Sequence, residues 1–509
     1  MPALSKGLRR YLYLTAAATG AVIMVVEILG AKMLSPFVGL SHFVWTAQIA
    51  VTLVALACGY YVGGRLADRS QNLGGLYRAI LAAAGYLVMT VLICEPVAYW
   101  CLDFNLAVGS LLASTILFFI PLSLLAMTGP FLVRVVTSSV AGVGGNVGRL
   151  TSIGTLGSFA GTMCIGYVML PLLPNSVSMY LTAAALTLVV AGFFIFFNRR
   201  SGKSLAGAVV LALGTGWLAG HPPAHEYAVA VERFSGNSYF GQIGVLDLPN
   251  GNLRLFSNDN LIINTYDPVR KQSVSTFTCL LSGLARACTT NINDVLCIGL
   301  GAGIVPMEFV HQGVRVDVVE INPAIVPVAV RFFDLEPDKL HITIDDGRHF
   351  LNRCRKQYDA VLLDAFLGDS SPSHLMTREA FAAIRRVLRP GGTLVINAGC
   401  RPEAGHDFFA ASLDQTLKAV FAGVRMHSDG DQSYFVATDR PGPEFVRPPE
   451  LDQVHPAVKT EVEAAYANVV EPLPGNGRVL TDDFNPVEFY DARNREAMHR
   501  QFALIMRKL

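Results

Sequence analysis

Charge is scarce in this chain of 509 residues: Asp, Glu, Lys and Arg make up 16% of it and nearly cancel, leaving a formal net charge of +1. With no basic block, and no basic residues interleaved with aromatics, nothing in it draws nucleic acid, and no nucleic-acid partner is expected. The nine cysteines include no Cys-x-x-Cys pair, so neither a zinc site nor a disulfide framework is suggested. His349 and His374 flank acidic stretches, but no second and third ligand follows at metal spacing, so no metal is expected either. Apolar residues take the place of charge. At 52% of the chain, with a mean hydropathy of +0.42, they exceed what an ordinary soluble protein carries, and part of the chain is expected in lipid.

Those apolar residues crowd into the N-terminal part. Seven segments, near 11–34, 43–66, 77–99, 106–133, 150–173, 178–198 and 204–220, each approach the roughly 20 residues that a spanning helix needs. A multi-pass α-helical membrane domain is therefore expected over residues 1–222. The first segment is not a cleaved signal peptide, because further spans follow it without a small-residue cleavage site. Lys6, Arg9 and Arg10 precede it, Arg65 and Arg69 end the second, Arg134 and Arg149 bracket the fourth loop, and Arg199, Arg200 and Lys203 follow the sixth. The positive-inside rule puts these and the N-terminus in the cytoplasm. If 204–220 also crosses, the C-terminal half emerges outside, where a nucleotide-like cofactor is not normally available; as the shortest and most Gly-rich segment, it alternatively is re-entrant or lies along the surface. Glu27 within the first segment has two readings, a structural pair with Lys32 or a neighbouring arginine, and a transport or access role. Gly63, Gly64, Arg65, Asp68 and Arg69 resemble the loop between the second and third helices of major facilitator transporters, while Gly154, Gly157 and Gly161 point to close helix packing.

Beyond residue 222 the apolar runs shorten and alternate. Residues 223–267 predict a small antiparallel β domain of strands separated by Gly-Asn turns, and 268–509 a Rossmann-like α/β domain that opens on a helix. Val295 to Ile298 reads as a buried parallel strand that turns sharply at Gly299, Gly301 and Gly303, and a second strand ends on Glu320 about twenty residues later, where a Rossmann unit places the acid that binds a ribose. Strand and helix then alternate through Ile342–Ile344, Ala360–Asp364, a helix near 377–388, the turn Arg389-Pro390-Gly391-Gly392 and the strand Thr393–Asn397, which predicts a doubly wound parallel sheet. Ligands bind such sheets outside the carboxyl ends of the strands. Acids recur at those ends: Glu320, the Asp345-Asp346 pair before Gly347, Asp364, and Asp369 a few residues on. Packing requires no carboxylate there, so a nucleoside site is the stronger reading.

The Gly299–Gly303 turn, Glu320, Asp346-Gly347, Tyr358-Asp359 leading to Leu363-Asp364, and the small hairpin domain ahead of them resemble spermidine synthase, a polyamine aminopropyltransferase. The apolar half, the stretch from Pro372 to Glu379 and the tail from Leu480 to Glu488 are similar to the bacterial subgroup in which that domain is fused to a multi-pass membrane region. The resemblance implies a class I methyltransferase-type fold, a location in the bacterial inner membrane, a homodimer, and transfer of an aminopropyl group from decarboxylated S-adenosylmethionine to a small amine. It implies that Glu320 binds the ribose hydroxyls, Asp346 reads the adenine amino group, Asp364 prepares the attacking amine, and Gln242 lines the pocket. Asp369 would bind the far end of the amine.

Two departures bear on the substrates. Ala302 stands where the family has an aspartate that holds the amino end of the decarboxylated donor, and Lys271-Gln272-Ser273 stands where it has Tyr-His-Glu or Tyr-Gln-Glu. Without the acid, intact S-adenosylmethionine is expected to bind at least as well as the decarboxylated form, with Lys271 as a partner for its carboxylate. Aminopropyl transfer, another reaction that consumes S-adenosylmethionine (methylation, or cleavage or cyclisation of its side chain), and nucleoside-gated transport or sensing through the membrane half all stay open at this point. The Asp482-Asp483 pair is expected either to cap the final helix or to line the cleft.

Overall fold

In lipid a backbone can satisfy its polar groups only within a helix or a closed barrel, and the described residues of the apolar half are helical apart from short links. The computed structural model describes residues 4–39, 42–137, 142–198, 202–221, 229–249, 252–259, 261–366, 372–403, 407–472, 475–490 and 492–509. The chain divides into two compact units, Met1–Glu226 and Tyr227–Leu509.

The first unit comprises α1 (Lys6–Val38), α2 (His42–Arg69), α3 (Leu73–Cys101), α4 (Leu106–Ala126), α5 (Thr128–Val136), α6 (Val143–Cys164), the short α7 (Leu170–Leu172), α8 (Asn175–Phe196) and α9 (Gly202–Gly220). Taken with the direct continuations of α4 into α5 and of α6 into α7, seven of its stretches are long and apolar enough to cross a membrane. The last of them is a continuous helix of 19 residues. Small residues set its closest packing: a methyl added at Gly157 would lie 2.1 Å from the Ala17 carbonyl oxygen and one at Gly161 2.4 Å from that of Ala21, so α6 lies backbone to backbone on α1. Gly63 meets Met127 in the same way, with an added methyl only 2.6 Å from its carbonyl oxygen. The Gly63–Arg69 stretch is the helical end of α2 and not the loop that its resemblance to facilitator transporters suggests. Glu27 is partly buried on α1 and makes no ion pair with Lys32 or with any other described residue.

The second unit opens with a five-stranded antiparallel sheet in sequential order: β1 (Val231–Ser238), β2 (Gly241–Leu248), β3 (Leu253–Asn258), β4 (Leu261–Asp267) and β5 (Gln272–Ser273). The sheet reaches beyond residue 267 because β5 folds back on β4, pairing Asp267 with Gln272. The expected helix at 268 therefore begins only at Thr276, as α10 (Thr276–Cys288).

An alternating run follows: β6 (Asp294–Ile298), α11 (Ile304–His311), β7 (Arg315–Glu320), α12 (Ile325–Phe332), β8 (His341–Ile344), α13 (Gly347–Arg353), β9 (Tyr358–Leu363), α14 (Arg378–Val387), β10 (Leu388–Ala398) and α15 (Phe408–Lys418). The chain ends through β11 (Gly423–Ser428), β12 (Ser433–Thr438), α16 (Lys459–Ala467), β13 (Val469–Val470), α17 (Val487–Tyr490) and α18 (Ala492–Lys508). The eight strands of the large sheet lie in the order β13-β11-β12-β10-β9-β6-β7-β8. From β10 to β8 the pairing is parallel, as in a Rossmann-like fold. At the other edge β12 runs antiparallel to β10 and to β11, so the sheet is mixed and not wholly parallel. The link from Asp429 to Gln432 is too short for a crossover and permits only a hairpin.

Both faces of the sheet are buried, which explains why its strands read as continuous apolar runs. Val295, Cys297, Val318, Ala360, Leu362 and Val395 pack on one side, while Leu296, Ile298, Val319, Val361, Leu363 and Ile396 pack on the other. With no room left on the faces, the carboxyl ends of the strands are where a ligand can enter.

Candidate active site

A cavity of about 170 Å³ opens at those carboxyl ends. Gly299 and Gly301 follow β6, Glu320 closes β7, Asp345, Asp346 and Gly347 follow β8, Asp364 follows β9, Asn397 lies near the end of β10, and all of them border the cavity. Gly299 is required at its position. Its φ of +101° lies in a region that L side chains avoid, and an added methyl would stand 2.2 Å from the Asp364 carbonyl oxygen. The glycine lets the ends of β6 and β9 meet. Gly303, with φ +79°, starts α11 and packs against Leu335; it shapes the turn without bordering the cavity.

Each carboxylate has its own surroundings. Glu320 is 5% exposed; one oxygen accepts the Leu300 N–H at 2.9 Å and the other the Asn322 N–H at 2.7 Å. Burial raises its pKa and these N–H groups oppose the rise. Asp346 caps α13, taking the His349 N–H at 3.0 Å, while its other oxygen lies 2.9 Å from His374 Nε2. Burial works to raise its pKa, but the His349 N–H and the His374 ring together hold the carboxyl below the usual range. Asp345 is tied to His349 and, at 2.8 Å, to Arg353. Asp364 accepts one hydrogen bond, 2.9 Å from Asn397 Nδ2. Burial pushes its pKa up to about 6 against the pull of Asn397, and the charge of Glu320 adds to the rise.

Several residues expected at the site lie elsewhere. Lys271 occupies the turn between β4 and β5 with φ +56°, which aims it at Asp334, 3.1 Å away. Gln272 donates to the Gln453 carbonyl at 3.0 Å. Both border a separate groove with Tyr266 and Arg286, so Lys271 does not reach a donor carboxylate in the cavity. Gln242 is exposed on β2, where strand alternation turns it away from buried Ile243, and it donates to Ser235 at 2.9 Å. Asp369 lies outside the described residues. Ala302 is buried and borders a small void beneath the glycine turn, together with Ile263, Phe277 and Asp364.

Other residues enter unannounced. Asn397 is 2% exposed and its Oδ1 is buried without a donor; its signal, a polar side chain at the carboxyl end of a parallel strand, is the same one that singles out the acids. Met498 and Phe502 of α18 also border the cavity, and their spacing of one helical turn is the sole trace in the sequence. Asp482 neither caps α18 nor borders the cavity. It binds Arg348 at 2.9 Å and accepts from Thr377 Oγ1 at 2.6 Å, fastening the tail to the start of α14 and to the second residue of α13.

Residues 276–428 match the spermine/spermidine synthase domain. The chain is 33% identical over 159 residues to an eEF1A lysine and N-terminal methyltransferase homolog of Drosophila pseudoobscura pseudoobscura, covering 29% of this chain and 23% of that protein. The chain thus spans about a quarter of the length of the first curated relatives it matches. It is 25% identical over 431 residues to polyamine aminopropyltransferase 1 of Streptomyces coelicolor, covering 78% of this chain and 77% of that one, a share larger than the second unit alone. A crystal structure of spermidine synthase in complex with the transition state analogue AdoDATO is similar with a TM-score of 0.38 and 17% identity, covering 46% of this chain and 85% of that one. The C-terminal part of this chain, after its apolar helical half, carries a spermine/spermidine synthase domain, related to the polyamine aminopropyltransferases.

Proposed function

We propose that the second unit transfers an aminopropyl group from decarboxylated S-adenosylmethionine, or the corresponding 3-amino-3-carboxypropyl group from the intact form, to a small amine and releases methylthioadenosine. The observation that carries this reading is the convergence of Glu320, Asp346 and Asp364 on one cavity at the ends of β7, β8 and β9. Glu320, held by the Leu300 and Asn322 N–H groups, borders the cavity as an acceptor for the ribose hydroxyls. Asp346, at the next strand end, serves the nucleobase.

Asp364 serves the reacting amine. A sulfonium and an ammonium about 4 Å apart repel by roughly 4 kcal/mol at an effective dielectric of about 20, and a carboxylate between them offsets that. Asp364 takes a proton from the ammonium, the freed nitrogen lone pair attacks the propyl carbon next to sulfur, and the carbon–sulfur bond pair returns to sulfur as a neutral thioether. A carboxylate with a pKa of about 6 is ionised at neutral pH and a stronger base than an exposed aspartate. Ala302 leaves the donor's amino end without the acid that would repel a carboxylate, which favours acceptance of both donor forms; calorimetry with the two ligands tests this, and a clear preference for the decarboxylated form removes it.

The first unit we place in a bilayer, the N-terminus on the cytoplasmic side with Lys6, Arg9 and Arg10. The decisive experiment replaces Asp364 by Asn and follows products by mass spectrometry. The expected result is a fall in turnover of about 10²-fold or more with nucleoside affinity retained. Unchanged turnover, or S-adenosylhomocysteine as the product in place of methylthioadenosine, rules the proposal out.

A further inference from the structure

Among the described residues His374 is the only imidazole that borders the cavity, and the proposed reaction gives it no task. Its Nε2 stands 2.9 Å from one Asp346 oxygen, while the His349 N–H occupies the other at 3.0 Å. An ionised carboxylate only accepts hydrogen bonds, so the imidazole donates and Nε2 carries the proton.

The surrounding chain delivers His374 to that position. Pro372 opens a short turn, Ser373–Leu375, whose Leu375 is 2% exposed and packs against Gly347. A methyl added to Gly347 would stand 3.4 Å from Leu375 and 2.7 Å from the Ile298 side chain, so the bare glycine lets the turn approach the residue that precedes it, Asp346. Asn485 holds the same turn from the tail, donating to the Ser373 carbonyl at 2.9 Å, and Arg348 reaches Thr377 Oγ1 at 3.3 Å just beyond it. The imidazole itself is half-exposed. What the turn supplies is therefore its contact with Asp346 and not a packed core.

An aspartate tied through one oxygen can still turn about its terminal torsion, whose wells are broad. With His349 on one oxygen and His374 on the other, both ends of the Asp346 carboxylate are tied. A carboxylate held so accepts a hydrogen bond from an amino group on a purine and repels a carbonyl oxygen put in the same place.

We infer, resting on the assignment of Asp346 to the nucleobase above, that His374 is a positioning residue for nucleobase selection: it fixes the Asp346 carboxylate so that the cavity takes a 6-aminopurine in preference to a 6-oxopurine. Without the imidazole the carboxylate turns, the 6-amino group loses its fixed acceptor, and a 6-oxopurine loses nothing.

Methylthioadenosine and methylthioinosine differ in the amino or oxo group at position 6, so the pair isolates this feature. The purified full chain in detergent is titrated with each by calorimetry. His374→Ala is expected to weaken methylthioadenosine about tenfold and to change methylthioinosine less than about twofold. His374→Gln, whose amide nitrogen can replace Nε2 as the donor, is expected to bring methylthioadenosine back to within about threefold of the wild-type affinity. Undiminished methylthioadenosine binding in His374→Ala overturns the inference. An equal loss for both nucleosides, which a merely loosened turn would cause, or a Gln variant no better than Ala, overturns it too. These outcomes leave aminopropyl transfer standing, since that is read separately from the methylthioadenosine formed when donor and amine are supplied. A wild-type chain that binds neither nucleoside overturns the nucleoside site and the inference with it.

Discussion

At the residue scale the proposed chemistry rests on how differently four carboxylates are held. Glu320 and Asp346 are fixed by backbone N–H groups, which suits groups that bind and do not react. Asp364 keeps a pKa of about 6 because burial outweighs its one hydrogen bond from Asn397. In the proposed reaction its working form is the carboxylate: below that pKa the group is neutral and could not take the amine's proton, and above it the group is charged. The kcat/KM for the amine should therefore fall as pH drops through about 6 and recover on its return. A pH profile on the wild-type chain checks this, and an acid limb centred near 4 would mean that Asp364 behaves as an exposed aspartate. The strand-end positions of Glu320, Asp346 and Asp364 were legible because Glu320 and Asp364 directly follow an apolar run and Asp346 stands one residue past another. Asn397 closes a run in the same way, yet an uncharged amide draws less notice than an acid.

Elements carry the next layer. The tail from Leu480 onward is held by buried Leu480 and by the Asp482 contacts to Arg348 and Thr377, and Arg348 follows the Asp346-Gly347 pair directly. Replacing Asp482 by Asn should lower stability by about 1 kcal/mol, since the pair is charge-assisted but half-exposed on the acid's side. It should also raise the KM for the nucleoside several-fold while kcat stays near its wild-type value; thermal unfolding and initial rates measure the two effects. In the apolar half the seam between α1 and α6 is the sensitive point. Gly157→Ala puts a methyl 2.1 Å from a backbone oxygen, and such overpacking costs about 1–3 kcal/mol. The expected outcome is a lower melting temperature of the detergent-solubilised chain, whereas Gly148→Ala, with nothing within 4 Å of the added methyl, should leave it unchanged.

For the molecule as a whole, the division at Glu226 and Tyr227 predicts separable behaviour. The full chain should leave membranes only with detergent and not with high salt, because seven long apolar helices bind by burial and not by charge. A chain beginning at Tyr227 should stay in solution and bind the nucleoside within about twofold of the full chain. Fractionation followed by calorimetry tests both halves of that expectation. It begins at Tyr227 because the N–H groups of Val229 and Ala230 bond to the Leu509 carbonyl oxygen, the latter at 3.0 Å, so a later start would free the end of α18 near the cavity wall.

The seven helical segments, the alternating strands and helices, and the acids at strand ends were determined by the sequence itself, because each depends on a local run of residues and on where that run stops. What it left undecided is governed by side-chain direction and by contacts between residues far apart in the chain. The backward fold of β5 carried Lys271 and Gln272 to another groove, the alternation of β2 turned Gln242 outward, and an antiparallel hairpin replaced a crossover at the sheet edge. The arrival of Met498 and Phe502 over β10 and the binding of Asp482 to Arg348 likewise belong to tertiary structure, since a separation of more than a hundred residues leaves no periodic mark for either partner to show.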